Sequence, residues 1–213
     1  MDLRRLPAID VMSMVEVGFD VSRGISGLDL TAGLKKPYLL PQVSFLLAED
    51  HFFDVGLGWS EEGIQIFFRI DSPFEEAFFP DVEKGDGVEV FIDTRGVDSA
   101  VTIHKYCHHF IFLPKAVDGI QAAEVTRFKS DDRHEPASSE NFSVISKFKT
   151  NSYEMQITIP EISLFGYNPL QIPKLSFACV IHRSNKAKGH FGQSGIDFKC
   201  ESCPALWTKL RLV

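Results

Sequence analysis

The run Gly85-Asp86-Gly87-Val88-Glu89-Val90-Phe91-Ile92-Asp93-Thr94-Arg95 constrains the fold more than any other part of the chain. Alternation sends Val88, Val90 and Ile92 to one face of an extended segment and Glu89, Phe91 and Asp93 to the other. The opening Gly-Asp-Gly marks a turn. The segment therefore reads as a strand with one apolar face set against a core. Its two acids are either solvated or line a polar site.

Similar short runs follow at regular spacing: Gln42–Ala48, Ile64–Asp71, Val88–Thr94, Cys107–Leu113, Ala122–Phe128, Phe142–Lys149, Tyr153–Ile159, Leu175–His182 and Trp207–Leu212. Weaker ones lie at Met12–Phe19 and Leu28–Leu30. Few long helical periods separate them, which points to a sandwich or barrel and away from a βαβ fold. Phenylalanine, with 19 copies against 4 Tyr and 2 Trp, suits pleated surfaces and strengthens the β reading. No repeat or Gly/Ser linker divides the 213 residues, so a single domain over 1–213 is expected.

The loops carry information as well. Pro73 to Gly87 holds Glu75, Glu76, Asp81, Glu83 and Asp86, interrupted by Phe74, Phe78 and Phe79. Ser130 to Asn141 is polar and reads as an exposed connection. Ile159 to Gly166 reads as one short helical turn, with Pro160 at its first position and Gly166 at its stop. Asn185 to Gly195 reads as a polar excursion between two strands.

A net charge of −7 argues against a nucleic-acid binder, which needs a basic field. No stretch has the length of a membrane span, and residues 1–7 lack an apolar run suited to secretion. The expectation is a cytoplasmic protein with reduced thiols at Cys107, Cys179, Cys200 and Cys203, unless a signal peptide has been removed.

Three segments, in order, resemble the signatures of family 9 carbohydrate-binding modules and their DOMON-like relatives. Trp59-Ser60-Glu61-Glu62-Gly63-Ile64-Gln65-Ile66-Phe67-Phe68-Arg69-Ile70-Asp71 is similar to the aromatic strand that follows an acidic turn. Gly85–Thr94 is similar to the Gly-Asp-x-Val-Glu-x-Phe-Ile-Asp strand. Tyr153–Ile162 resembles the late strand that runs into Ile-Pro, and Leu175–Arg183 falls where another core strand is expected. The resemblance covers about residues 42–212. It implies an all-β, antiparallel β-sandwich of immunoglobulin-like or jelly-roll type with one short helical turn.

The same resemblance implies a non-catalytic protein that binds a saccharide. Some family members hold calcium, and some DOMON relatives hold haem between Met and His, for which Met155, Met12 and Met14 are the methionines to consider. The family's sugar clamp pairs two tryptophans. Here only Trp59 and Trp207 exist, each readable as a core residue or as a stacking platform. A polar floor of Arg69, Glu89, Asp93, His108 and Arg183 across one sheet face would supply hydrogen bonds to sugar hydroxyls; the alternative is a set of surface ion pairs. The competing functional reading is a cytoplasmic protein-interaction or scaffold domain that keeps the sandwich without the sugar site.

Enzymatic readings find little support. Glu89 and Asp93 lie about 13 Å apart along an extended strand, against roughly 5 Å between the carboxyls of a retaining glycosidase. No Gly-x-Ser-x-Gly elbow accompanies His104, His108, His109, His182 or His190. Cys107-His108-His109 with Cys179 and Cys200-x-x-Cys203 suggests zinc, but a second half-site of matching spacing is missing. Buried free thiols, or a labile Cys200–Cys203 pairing, are the expectation.

Overall fold

A computed structural model describes residues 18–24, 28–42, 50–97, 101–192 and 200–213. Its strands are β1 (Gly18–Val21), β2 (Phe53–Ser60), β3 (Gly63–Ile70), β4 (Gly87–Asp93), β5 (Cys107–Val117), β6 (Ile120–Glu124), β7 (Ser143–Phe148), β8 (Tyr153–Pro160), β9 (Lys174–His182), β10 (Lys188–Phe191) and β11 (Thr208–Leu212). One short helix, α1 (Leu30–Gly33), lies between β1 and β2. The strands form a sandwich of two sheets. One is ordered β1-β11-β9-β4-β5-β6 with β10 also on β9, the other β2-β3-β8-β7. Every pairing is antiparallel except β1 on β11, which is parallel.

Alternation decides what faces inward. Val88, Val90 and Ile92 of β4 meet Phe110 and Phe112 of β5 and Phe177, Cys179 and Ile181 of β9 in the core. The second sheet answers with Val55, Leu57 and Trp59 of β2, Ile64, Ile66 and Phe68 of β3, and Met155, Ile157 and Ile159 of β8. Burying each such side chain contributes about 1.5–3 kcal/mol, so one-residue slips of register are strongly opposed.

Three elements depart from the sequence reading. β2 lies where only Trp59 marked a strand, because Gly56 and Gly58 interrupt its pattern. Gly56 is there for space: a Cβ would sit 1.9 Å from the Gly33 carbonyl oxygen, where α1 crosses the sheet. β10 occupies part of the polar excursion after Asn185. Leu28–Leu30 is no strand; Asp29 instead caps α1, accepting from the Ala32 N–H at 2.9 Å.

Other boundaries shift slightly. β5 runs past Pro114 to a hairpin at Asp118 and Gly119, whose φ values of 50° and 82° suit a type I′ turn. The turn after β8 is a short 3-10 helix at Glu161–Ser163, with Pro160 at its cap and Gly166 at φ 79°. Residues 43–48 of the Gln42–Ala48 run and 12–17 of the Met12–Phe19 run lie outside the described residues. Among the described residues, no helix is long and apolar enough to cross a membrane.

Candidate functional site

The outer face of the larger sheet is covered at both ends. At one end the loop between β3 and β4 folds over it, packing Ala77 and Val82 on Ile111 and Leu113. Asp86 anchors that loop by accepting from the Glu75 N–H at 2.8 Å and the Ser184 hydroxyl at 3.0 Å. At the other end Phe91, Cys107, Ala178, Val180 and Trp207 form a second apolar cluster. Glu89, His109 and His182 lie between the two.

Glu89 is bonded on both sides. His109 Nε2 donates to its Oε2 at 2.6 Å and His182 Nε2 to its Oε1 at 2.6 Å. The Glu89 side chain is 19 % exposed and that of His109 16 %, whereas His182 is buried. Burial pushes the Glu89 carboxyl up, but the bonds from His109 and His182 outweigh it and hold the group well below the usual carboxylate range. The result is an oriented, ionised carboxylate at a partly open face. His109 is further fixed by stacking on Phe91, with ring centroids 4.3 Å apart.

The seven residues expected to line a site do not form one floor. Arg69 is on the outer face of the other sheet, ion-paired to Asp54 and 3.6 Å from Asp71. Arg183, past the end of β9, turns inward at the rim and places its guanidinium 5.2 Å from the centre of the Phe52 ring. His108 faces into the sandwich, because it pairs with the inward Ile92, and Phe91 is the partner of His109. Asp93 has the expected face but is fully buried; its oxygens accept from the Arg95 N–H at 2.9 Å and the Val97 N–H at 2.7 Å, fixing the turn after β4. Of the seven, only Glu89 is both on the outer face of the larger sheet and partly open.

Both tryptophans are buried. Trp59 is 6 % exposed and points inward, its Nε1–H donating to the Val21 carbonyl at 3.0 Å. Trp207 is 2 % exposed and packs on Phe91 at 5.7 Å between ring centroids. Met155 is likewise in the core, while Met12 and Met14 lie outside the described residues. His109 was legible only as a histidine. Alternation within β5 separates His109 from His108, yet which of them shares a face with Glu89 depends on cross-strand register.

Two further clusters have ligand atoms close enough to hold a metal ion: Asp93–His104–Cys107 and His108–Glu124–His134. In the first, His104 Nδ1 accepts from the Tyr106 N–H at 3.3 Å, which leaves Nε2 to carry the ring proton toward Cys107 and Asp93. Burial pushes the Cys107 thiol up to about 12, so it is protonated. That set is held together by His104 Nε2, 3.4 Å from Cys107 Sγ and 3.8 Å from Asp93 Oδ2. Among the described residues, neither metal-capable group includes Cys179 or Cys203, and Cys107, Cys179 and Cys203 are free thiols.

No family model and no curated protein matches the chain. Solved structures do. A family 9 carbohydrate-binding module from Caldicellulosiruptor kristjanssonii, in complex with cellotriose, is similar at a TM-score of 0.59 and 13 % identity, covering 92 % of this chain and 93 % of that one. The glucose complex of a family 9 module from the same organism is similar at 0.59 and 13 %, covering 92 % and 96 %. A candidate carbohydrate-binding protein from Bacteroides uniformis is similar at 0.57 and 12 %, covering 92 % and 99 %. With TM-scores of 0.57–0.59 over nearly the whole of each chain, this two-sheet sandwich has the fold of the family 9 carbohydrate-binding modules.

Proposed function

We propose that this protein is a non-catalytic saccharide-binding module whose ligand sits on the outer face of the larger sheet, at Glu89 and His109. The observation that carries this is the Glu89 carboxylate held ionised between His109 and His182 on a partly open surface. Sugar hydroxyls donate and accept at once, so an oriented carboxylate beside an imidazole edge matches a vicinal hydroxyl pair. The glucose and cellotriose bound by the structural neighbours make gluco-configured sugars the first ligands to test. Trp59 and Trp207 act as core residues in this reading.

Isothermal titration with glucose and cellotriose tests it. Saturable binding that Glu89→Gln or His109→Ala weakens roughly tenfold or more, the loss expected for a charge-assisted hydrogen bond, supports the site. Binding left unchanged by both substitutions, in folded variants, refutes it.

A protein-interaction role is the second reading. It is favoured by the exposed apolar side chains Ile145 and Phe148 on β7 and Ile162, Phe165 and Leu170 near the turn after β8. A folded protein silent toward a broad panel of saccharides, yet captured by a protein partner through these side chains, would favour that role.

A further inference from the structure

On the inward side of β5, at the edge of the core, Glu124 Oε1 is the meeting point of three polar atoms. His108 Nδ1 lies 2.9 Å away, His134 Nε2 2.7 Å and Thr126 Oγ1 2.7 Å. The other oxygen, Oε2, accepts from the Ala137 N–H at 2.7 Å. The three side chains are shut off from solvent, at 1 % exposure for His108, 3 % for His134 and none for Glu124.

The far nitrogens of the two rings fix where the protons are. His134 Nδ1 is 2.6 Å from the Lys105 carbonyl, which only accepts, so Nδ1 is protonated. A neutral His134 therefore turns a bare Nε2 toward the carboxylate. His108 Nε2 is buried without a hydrogen-bond partner among the described residues. A neutral His108 protonated at Nε2 turns a bare Nδ1 toward the same oxygen. Two imidazole lone pairs and a carboxylate thus converge, all within 4.8 Å of one another.

Protons alone fill this centre poorly. A carboxylate oxygen has about two lone-pair sites, and protonating both inner nitrogens would aim three donors at Oε1, counting the Thr126 hydroxyl. One cation resolves the count. It takes one lone pair of Oε1 and both imidazole nitrogens, and Thr126 keeps the other lone pair. The backbone carbonyl of Lys105 then accepts from the outer N–H of His134, the arrangement that orients histidine ligands in metal sites.

We propose that His108, Glu124 and His134 form a structural zinc site that ties the 130–141 connection to the sheet edge. Two imidazoles and one carboxylate are a zinc donor set, whereas calcium asks for six or more oxygens. Zinc bonds of about 2.0–2.1 Å set ligand atoms roughly 3.3 Å apart. Small ring rotations must therefore open the present spacing, and the fourth position is left for water. The site is separate from the sugar-binding face, so either can fail without the other.

The test strips the full chain with a chelator, then titrates Zn2+ against a chromophoric competitor and follows melting. Uptake of about one ion per chain, a higher melting temperature and the strong visible bands of a four-coordinate Co2+ adduct are expected. Loss of uptake in His134→Gln and Glu124→Gln, with Cys107→Ser unaffected, assigns the ligands. Should either ligand variant fail to fold, the cobalt spectrum of the unaltered chain keeps the test decisive. A stripped chain that stays folded yet takes up neither Zn2+ nor Co2+ overturns the proposal. So does undiminished uptake by both ligand variants, or loss of uptake in Cys107→Ser.

Discussion

Glu89 and His182 are hydrogen-bonded at 2.6 Å although they are not register partners: Glu89 lies opposite Val180, and His182 opposite Gly87. The contact is diagonal across β4 and β9, and His109 makes the same diagonal reach from β5, where Glu89 lies opposite Ile111. The carboxylate is thereby gripped from both neighbouring strands. Its folded-state pKa lies below the unfolded value, so its stabilising contribution is complete above the ordinary carboxylate range and is lost as pH falls through the folded value. Glu89→Gln is expected to lower stability by about 2 kcal/mol at neutral pH. Urea unfolding at a series of pH values should show that gap persisting to about pH 5 and closing only well below pH 4. A gap that closes near pH 6 would contradict the assignment.

Trp59 ties the sheets to the β1 edge, with its Nε1–H 3.0 Å from the Val21 carbonyl and 3.3 Å from that of Val213. Trp59→Ala removes a buried ring and those bonds together, and Trp207→Ala removes the packing on Phe91. Each should cost about 3–5 kcal/mol, measured by chemical denaturation. A Trp→Ala variant as stable as the wild type would return that ring to the surface and to a stacking role.

The sandwich could be read from the sequence because its inward positions alternate without interruption, as in Val88, Val90 and Ile92 or in Tyr153, Met155, Ile157 and Ile159. β2 was not legible, since Gly56 answers to α1 lying over that strand, a contact made by distant residues, and Gly58 lengthens the break in the pattern. The site was legible only as far as Glu89. Arg69 shares the periodicity of Glu89 but not its sheet, and periodicity says nothing about which sheet a strand joins. His108 and His109 are adjacent in sequence, and the pairing of Phe91 with His109 separates core from surface.

Thiol chemistry should follow burial. Cys107 and Cys179 are buried, and burial pushes both thiols up, Cys107 to about 12. Near pH 8 such a group holds on the order of a thousandfold less thiolate than a free cysteine. Alkylation followed by mass mapping should label Cys203, which is partly exposed, well before either. Labelling of Cys107 at the same rate as Cys203 in the folded protein would contradict the packing around Phe91 and Trp207.

The central pairing of each sheet has a consequence for how the chain finds its fold. Ile64 on β3 lies opposite Ile159 on β8, and Val90 on β4 lies opposite Cys179 on β9. Both junctions close long loops before any of their cross-strand packing is gained, and the loop of one encloses much of the other. Neither sheet can bury its inner face until the other is in place. Folding should therefore be slow and all-or-none, in the millisecond-to-second range typical of β-sandwiches, with the hairpins β2–β3 and β7–β8 as the local contacts available first.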